Sequence, residues 1–107
     1  MALKTISNPG ISRQTHIVNV PPLCPKTGNP TEGSTITITY RPKGELLEVY
    51  SLQDYIASFA GSPDVRDIEL LTRVVGGHCT DVLDVELQVV GKFVLTIGQT
   101  VICEYQS

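Results

Sequence analysis

Prolines at 21, 22, 25 and 30, with glycine at 28, crowd one ten-residue stretch, Pro21-Pro22-Leu23-Cys24-Pro25-Lys26-Thr27-Gly28-Asn29-Pro30. Proline fixes φ and has no N–H to donate, so neither a helix nor a central strand survives that density. The stretch must be a stiff loop of definite shape, and regular structure must lie to either side of it.

The flanking segments supply that structure. Residues 14–20, QTHIVNV, alternate weakly and read as a first short strand. Residues 34–40, STITITY, alternate strictly: Ile36, Ile38 and Tyr40 share one face, Thr35, Thr37 and Thr39 the other. β-Branched residues at period two predict a strand. Arg41-Pro42-Lys43-Gly44 ends it in a turn, and residues 46–50 read as a short extended segment. Ser51, followed by Asp54, reads as a helix N-cap, with Leu52, Tyr55, Ile56 and Phe59 at helical spacing and Gly61 as the stop. Ser62-Pro63-Asp64 predicts the start of a second helix, striped by Val65, Ile68, Leu71 or Thr72, and Val75, and ended by Gly76-Gly77. Strand patterning returns at residues 84–90. Gly91-Lys92 suits a turn, and residues 93–105 read as a last strand interrupted near Gly98. Residues 1–13, with Asn8-Pro9-Gly10, read as an irregular arm.

The order ββααββ segregates strands from helices and predicts a single α+β domain over 1–107, an antiparallel four-stranded sheet with both helices on one face. The chain has 107 residues, no tryptophan and two phenylalanines, so its core is aliphatic and small. Two open sheet edges and a small core both favour self-association, and edge-to-edge closure into a ring satisfies both.

Composition narrows the function. The formal net charge is −3 and no basic run occurs, so the chain carries no sequence-level electrostatic footprint for nucleic acid. Cys24, Cys79 and Cys103 are odd in number and widely spaced, which argues against a disulfide framework and for a reducing, cytoplasmic setting. The N-terminus lacks the apolar stretch of a signal peptide, and no run approaches membrane-spanning length. His16 with His78-Cys79 lacks the repeated close spacing of zinc ligands, so no metal site is expected.

Cys24 is the residue with chemical promise. A thiol becomes a nucleophile when a positive charge, helix N-terminus or base stabilises its thiolate. Lys26 is a nearby cation and Glu32 a carboxyl group placed to manage a proton. The plainer alternative is that Cys24 is a small buried apolar residue, the reading that suits Cys79 and Cys103. Glu69, inside the second helix, is either a solvated surface residue or, at a subunit seam, an anchor for a cationic or amidine-like ligand edge. Glu48 is open in the same way.

The loop Leu23–Pro30 resembles the cysteine motif of tunnel-fold nitrile reductases that act on preQ0, 7-cyano-7-deazaguanine. Leu47-Glu48-Val49-Tyr50-Ser51-Leu52 resembles the family's Glu-Ser-Lys-Ser segment and the helix after it, Ile68-Glu69-Leu70-Leu71-Thr72 its helix with the purine-anchoring glutamate, and Val89-Val90-Gly91-Lys92-Phe93 the start of its last strand. The resemblance runs in order over residues 20–105, and the cysteine motif is its most specific part. The departures are as informative. Val49 and Tyr50 stand where the cofactor motif has serine and lysine, and Phe93–Ile97 replaces the glycine- and arginine-rich end of the reductases. Ile68 replaces a histidine; Thr31 stands where an aspartate follows the cysteine, with Glu32 next to it.

A reductase cysteine motif without the reductase cofactor segment is similar to one branch, the QueF-like archaeosine synthases. That resemblance implies a tunnel fold assembled edge to edge into β-barrel rings, pentamers or stacked pentamers (decamers). It implies a transfer RNA amidinotransferase that needs no cofactor and uses ammonia as co-substrate, its partner being transfer RNA carrying preQ0. Cys24 would attack the nitrile. Glu32, or its rival Thr31, would handle the proton. Leu47 and Glu48 would line the base pocket and Glu69 would hold the guanine-like edge. An NADPH-dependent preQ0 reductase, or a non-catalytic ring binding a purine or pterin, are the alternative expectations.

Overall fold

The computed structural model describes residues 2–107. Eight elements follow in chain order: β1 (Thr5–Ser7), β2 (Gln14–Asn19), β3 (Thr35–Tyr40), β4 (Glu45–Leu47), α1 (Val49–Ala57), α2 (Ile68–Leu83), β5 (Leu87–Val94) and β6 (Thr100–Gln106). The chain is α+β. Strands β2, β3, β5 and β6 form a four-stranded antiparallel sheet in the order β2-β3-β5-β6, and β1 pairs with β4 in a separate two-stranded sheet.

The period-two pattern decides which face is covered. His16, Ile38 and Val89 stand in one cross-strand row, Val18, Ile36, Gly91 and Cys103 in the next. These rows face the helices. Leu52 and Ile56 of α1 and Leu71, Val75 and Cys79 of α2 join Ile36, Ile38, Val89 and Phe93 in one buried cluster. The other face carries Ile17, Thr37, Val90 and Glu104 in one row and Asn19, Thr35, Lys92 and Ile102 in the next. Ile17 and Ile102 are largely exposed there.

Several local expectations need correction. Residues 1–13 are not wholly irregular: Thr5–Ser7 pairs with Glu45–Leu47, a match too short to leave a periodic signal. Helix α1 is capped by Glu48, whose carboxylate accepts from the Tyr50 and Ser51 amides at 2.7 and 2.8 Å. Ser51 lies within the first turn, and its hydroxyl donates to the Glu48 carbonyl and accepts from Lys4 N–H. Ser62 receives the Asp64 and Val65 amides in a tight turn, but α2 begins only at Ile68, with Asp67 as its cap. That helix runs through Gly76-Gly77 to Leu83 and stops at Asp84, in the left-handed region at φ 53°. Gly91-Lys92 is mid-strand in β5, and the hairpin turn lies beyond it, closed by Leu95 N–H to Gln99 C=O at 2.8 Å.

Both glycine misreadings have one cause. Glycine marks a close approach as well as a break. A Cβ on Gly76 would meet the Tyr105 ring at 2.3 Å, and one on Gly91 would meet the Phe93 ring at 2.3 Å and Thr72 Oγ1 at 2.8 Å. Around Gly77 there is nothing within 4 Å. Two adjacent helix glycines therefore respond with opposite sign. Gly77→Ala gains about 0.5–1 kcal/mol from helix propensity alone. Gly76→Ala gains the same but displaces a ring, at about 1–3 kcal/mol for overpacking, and is a net loss. Urea unfolding of the two variants checks this; a stabilised Gly76→Ala contradicts it.

A buried polar chain lies between β2 and β4. The Tyr40 hydroxyl accepts from Leu47 N–H at 2.9 Å and contacts His16 Nε2 at 2.9 Å. Burial pushes the His16 pKa below its ordinary 6.5. The unfolded chain therefore takes up this proton first as pH falls, so the contribution is complete above the unfolded value and drains away below it. Stability should fall as pH drops below the unfolded value of about 6.5, and His16→Gln should flatten the fall, as read by urea midpoints above and below it. An equal slope in His16→Gln would contradict this.

Candidate functional site

The proline-rich loop holds Cys24 by its backbone. The Leu23 and Cys24 amides both donate to the Asn29 carbonyl, at 2.8 and 3.1 Å, and Gly28 N–H donates back to the Cys24 carbonyl at 2.9 Å. Gly28 sits at φ 70°, the left-handed conformation that lets so short a turn close. The loop is tied outward at two points. Gly61 N–H reaches the Leu23 carbonyl, and Thr96 N–H reaches Asn29 Oδ1 at 2.8 Å. Leu23 is buried, Cys24 half-buried. The loop is thus a rigid platform at the end of the sheet where β2 stops and β3 begins.

Cys24 lines a cleft of about 360 Å³. Thr27 and Asn29 contribute from its own loop; Arg66, Asp67 and Glu69 contribute from the start of α2; Leu95, Gln99 and Val101 close it from the β5–β6 hairpin. Its groups act on the thiol in a definite order. The Thr27 hydroxyl, then the Thr27 and Lys26 amides, lower the thiol below its ordinary range against the opposing effect of desolvation, with Arg66 adding a smaller push in the same direction. The first turn of α2 lies in the same wall, and the positive end of a helix dipole favours an anion there.

The other two thiols differ. Cys79 is fully buried, and burial pushes its pKa up to about 12. Cys103 is half-buried, and burial followed by the negative charge of Glu69 pushes its thiol up. Of the three, Cys24 alone has its thiol lowered rather than raised.

The remaining sequence candidates separate. Glu69 lines the cleft with Cys24 although two strands and a helix intervene in the chain. Glu32 stands exposed on the turn before Ser34, outside the residues that line the cleft. Thr31 Oγ1 donates to the Val94 carbonyl at 3.0 Å, and Thr31 N–H donates to the same oxygen. Its hydroxyl proton is committed to fastening the turn to β5. Leu47 is a core residue, 1% exposed, and Glu48 is the α1 cap with both carboxylate oxygens occupied. Within one chain neither belongs to the Cys24 cleft. Lys26 acts through its amide where the sequence suggested its ammonium, and Arg66, which sequence spacing did not single out, lines the cleft.

The histidines serve elsewhere. His16 bonds Tyr40, and His78 Nδ1 bonds the Tyr55 hydroxyl at 2.6 Å. Among the described residues no group of three or more His, Cys, Asp or Glu side chains is arranged to hold a metal ion, and no helix is long and apolar enough to cross a membrane. Compared with protein-family models and with curated proteins, the chain gives no match.

Proposed function

We propose that the chain is a transfer RNA amidinotransferase of the archaeosine synthase type, acting on preQ0 already inserted in the RNA. The observation that carries this reading is the pairing of a thiol held toward its ionised form with a carboxylate, Glu69, in the wall of one cleft. A carboxylate offers two acceptors to the paired N–H donors of a guanine-like edge. The thiolate is the atom that attacks an electrophilic carbon.

The chemistry balances without a redox cofactor. The Cys24 thiolate adds to the nitrile carbon, one C–N π bond breaks, and the nitrogen takes a proton to give a thioimide. Ammonia then adds to the same carbon and loses a proton, the C–S bond breaks, and the thiolate returns. The net change is nitrile plus ammonia to formamidine, with no change in oxidation state. Glu32 remains our candidate for proton transfer, reaching the cleft either by movement of its turn or from a second copy.

The same reading takes the chain as a tunnel-fold subunit of a pentameric ring or stacked pair of rings. β2 and β6 are the two edges of the four-stranded sheet. β6 runs antiparallel to β5, and β2 antiparallel to β3. Joining β6 of one copy to β2 of the next therefore continues the antiparallel alternation unbroken. It would also bring the β1–β4 side of a neighbour, with Leu47 and Glu48, toward the Glu69 side of the cleft.

The test uses the whole chain with preQ0-containing transfer RNA and ammonium chloride, without NADPH. Nucleoside mass spectrometry should show the base heavier by one ammonia, and intact-mass analysis without ammonium should show a Cys24 adduct. Folded protein that forms neither product overturns the proposal. Oxidation of NADPH with free preQ0 would replace it with the reductase reading.

A further inference from the structure

We infer that Arg13, Arg41 and Lys43 form a phosphate-binding cleft for the transfer RNA backbone, at the end of the sheet away from Cys24. The inference rests on the reading of transfer RNA as the partner, though not on the chemistry assigned to the thiol.

Three of the chain's eight lysines and arginines line one cleft of about 770 Å³, in a molecule whose formal net charge is −3. Strand register brings two of them together. Gln14 and Tyr40 are the last pair of the β2–β3 ladder, so Arg13 and Arg41 are the next residues out and stand opposite each other. Lys43 follows on a segment stapled to the one that leads into Arg13. The Asn8 side-chain amide donates to the Ile11 and Lys43 carbonyls, both at 3.0 Å, while its oxygen accepts the Gly10 and Ile11 amides at 3.0 and 2.7 Å. Asn8 N–H completes the tie to the Gly44 carbonyl at 2.9 Å. The backbone that carries the three cations is thus fixed before any ligand arrives.

Like charges set opposite each other across a strand pair are destabilising. The arrangement is a cost in the free chain that a bound anion offsets, and the guanidinium fork matches phosphate oxygens. All three side chains are exposed. The carboxylates of the cleft, Asp84 and Glu86, come from the α2–β5 connection. With the strands ordered β2-β3-β5-β6, they stand in the other wall, and the β2–β3 wall is left positive. Strand β3, six residues long, separates this cleft from the Cys24 end of the sheet. That is about 20 Å, a span that an RNA strand covers and a free base does not. Edge-to-edge pairing covers strand edges and not strand ends, so the cleft stays open in a ring.

The experiment is filter binding of an unmodified transfer RNA transcript to the full-length chain over a range of KCl concentrations. The Arg13→Gln, Arg41→Gln, Lys43→Gln triple variant should bind on the order of tenfold or more weaker at low salt, and the slope of log affinity against log salt should become shallower by about 2. Arg41→Gln alone should take away about 1 of that slope. Arg73→Gln, the same charge change at an exposed site on α2 outside the cleft, should stay near the parent. The urea midpoint of Arg41→Gln should not fall, which separates a lost contact from lost folding. Parent-like binding by the triple variant, or an equal loss in Arg73→Gln, overturns the inference and leaves the amidinotransferase reading standing. A parent chain that binds no transfer RNA overturns both.

Discussion

Cys24→Ala is expected to abolish both the preQ0 adduct and formamidine formation, with folding and assembly like the parent's. Loss of a nucleophile that forms the covalent intermediate removes on the order of 10⁴-fold or more of the rate, in practice all that an assay detects. No second thiol can substitute. Cys79 is sealed in the core with its thiol pushed up to about 12, and Cys103 is raised by burial and by Glu69. The fold survives because the loop is held by backbone groups that alanine retains: the Cys24 amide to the Asn29 carbonyl, and Gly28 N–H to the Cys24 carbonyl. Thermal melting and sizing of the variant should match the parent, and Cys24→Ser should fail as well, since a hydroxyl without an adjacent base is a weak nucleophile. Formamidine production by Cys24→Ala would make the thiol structural and leave a binding ring as the better description.

Phe93→Ala should cost the most stability of the substitutions proposed. Phe93 is fully buried in β5 and is the bulkiest of the fully buried side chains. Removing it costs roughly 3–5 kcal/mol, the transfer of the ring plus the void left behind. That is a large part of the roughly 5–15 kcal/mol that holds a domain of this size together. Urea unfolding should show the loss as a lower midpoint, and the melting temperature should drop on the order of 15 °C. Gly91 supplies a second arm, because its missing Cβ is what makes room for this ring. Gly91→Ala alone should cost about 1–3 kcal/mol, and in the Phe93→Ala background it should cost less, since the ring it collides with is gone. A loss under about 1 kcal/mol for Phe93→Ala, or additive effects of the pair, would contradict this account of the core.

Legibility followed range. Ile36, Ile38 and Tyr40 could be assigned to the core because alternation is a property of neighbours in sequence. The loop around Cys24 could be recognised for the same local reason, as proline density excludes regular structure wherever the chain goes. The helix starts were misplaced because Ser51 and Ser62 look like caps, while Glu48 and Asp67 actually take the free amides. Which of several eligible side chains caps a helix depends on where tertiary packing lets the first turn begin. Gly76, Gly77 and Gly91 look like breaks because a glycine carries no sign of what will lie opposite it. Only the Tyr105 ring, packed from β6 against α2, and the Phe93 ring, folded back over its own strand, explain two of them.

The candidate site divides along the same line. Local chemistry was sufficient to select Cys24, since a thiol in a proline-locked loop is conspicuous without a partner. Local chemistry was also sufficient for the α+β class, because hydrophobic periods of two and of 3.6 are written into consecutive residues. Folding decided which groups stand around the sulfur: it brought Glu69 and Arg66 to the cleft, gave Thr31 to the Val94 carbonyl and Glu48 to a helix end. The physical reason is that ionisation and hydrogen bonding fall off over a few ångströms of space, a separation that residue numbering does not measure.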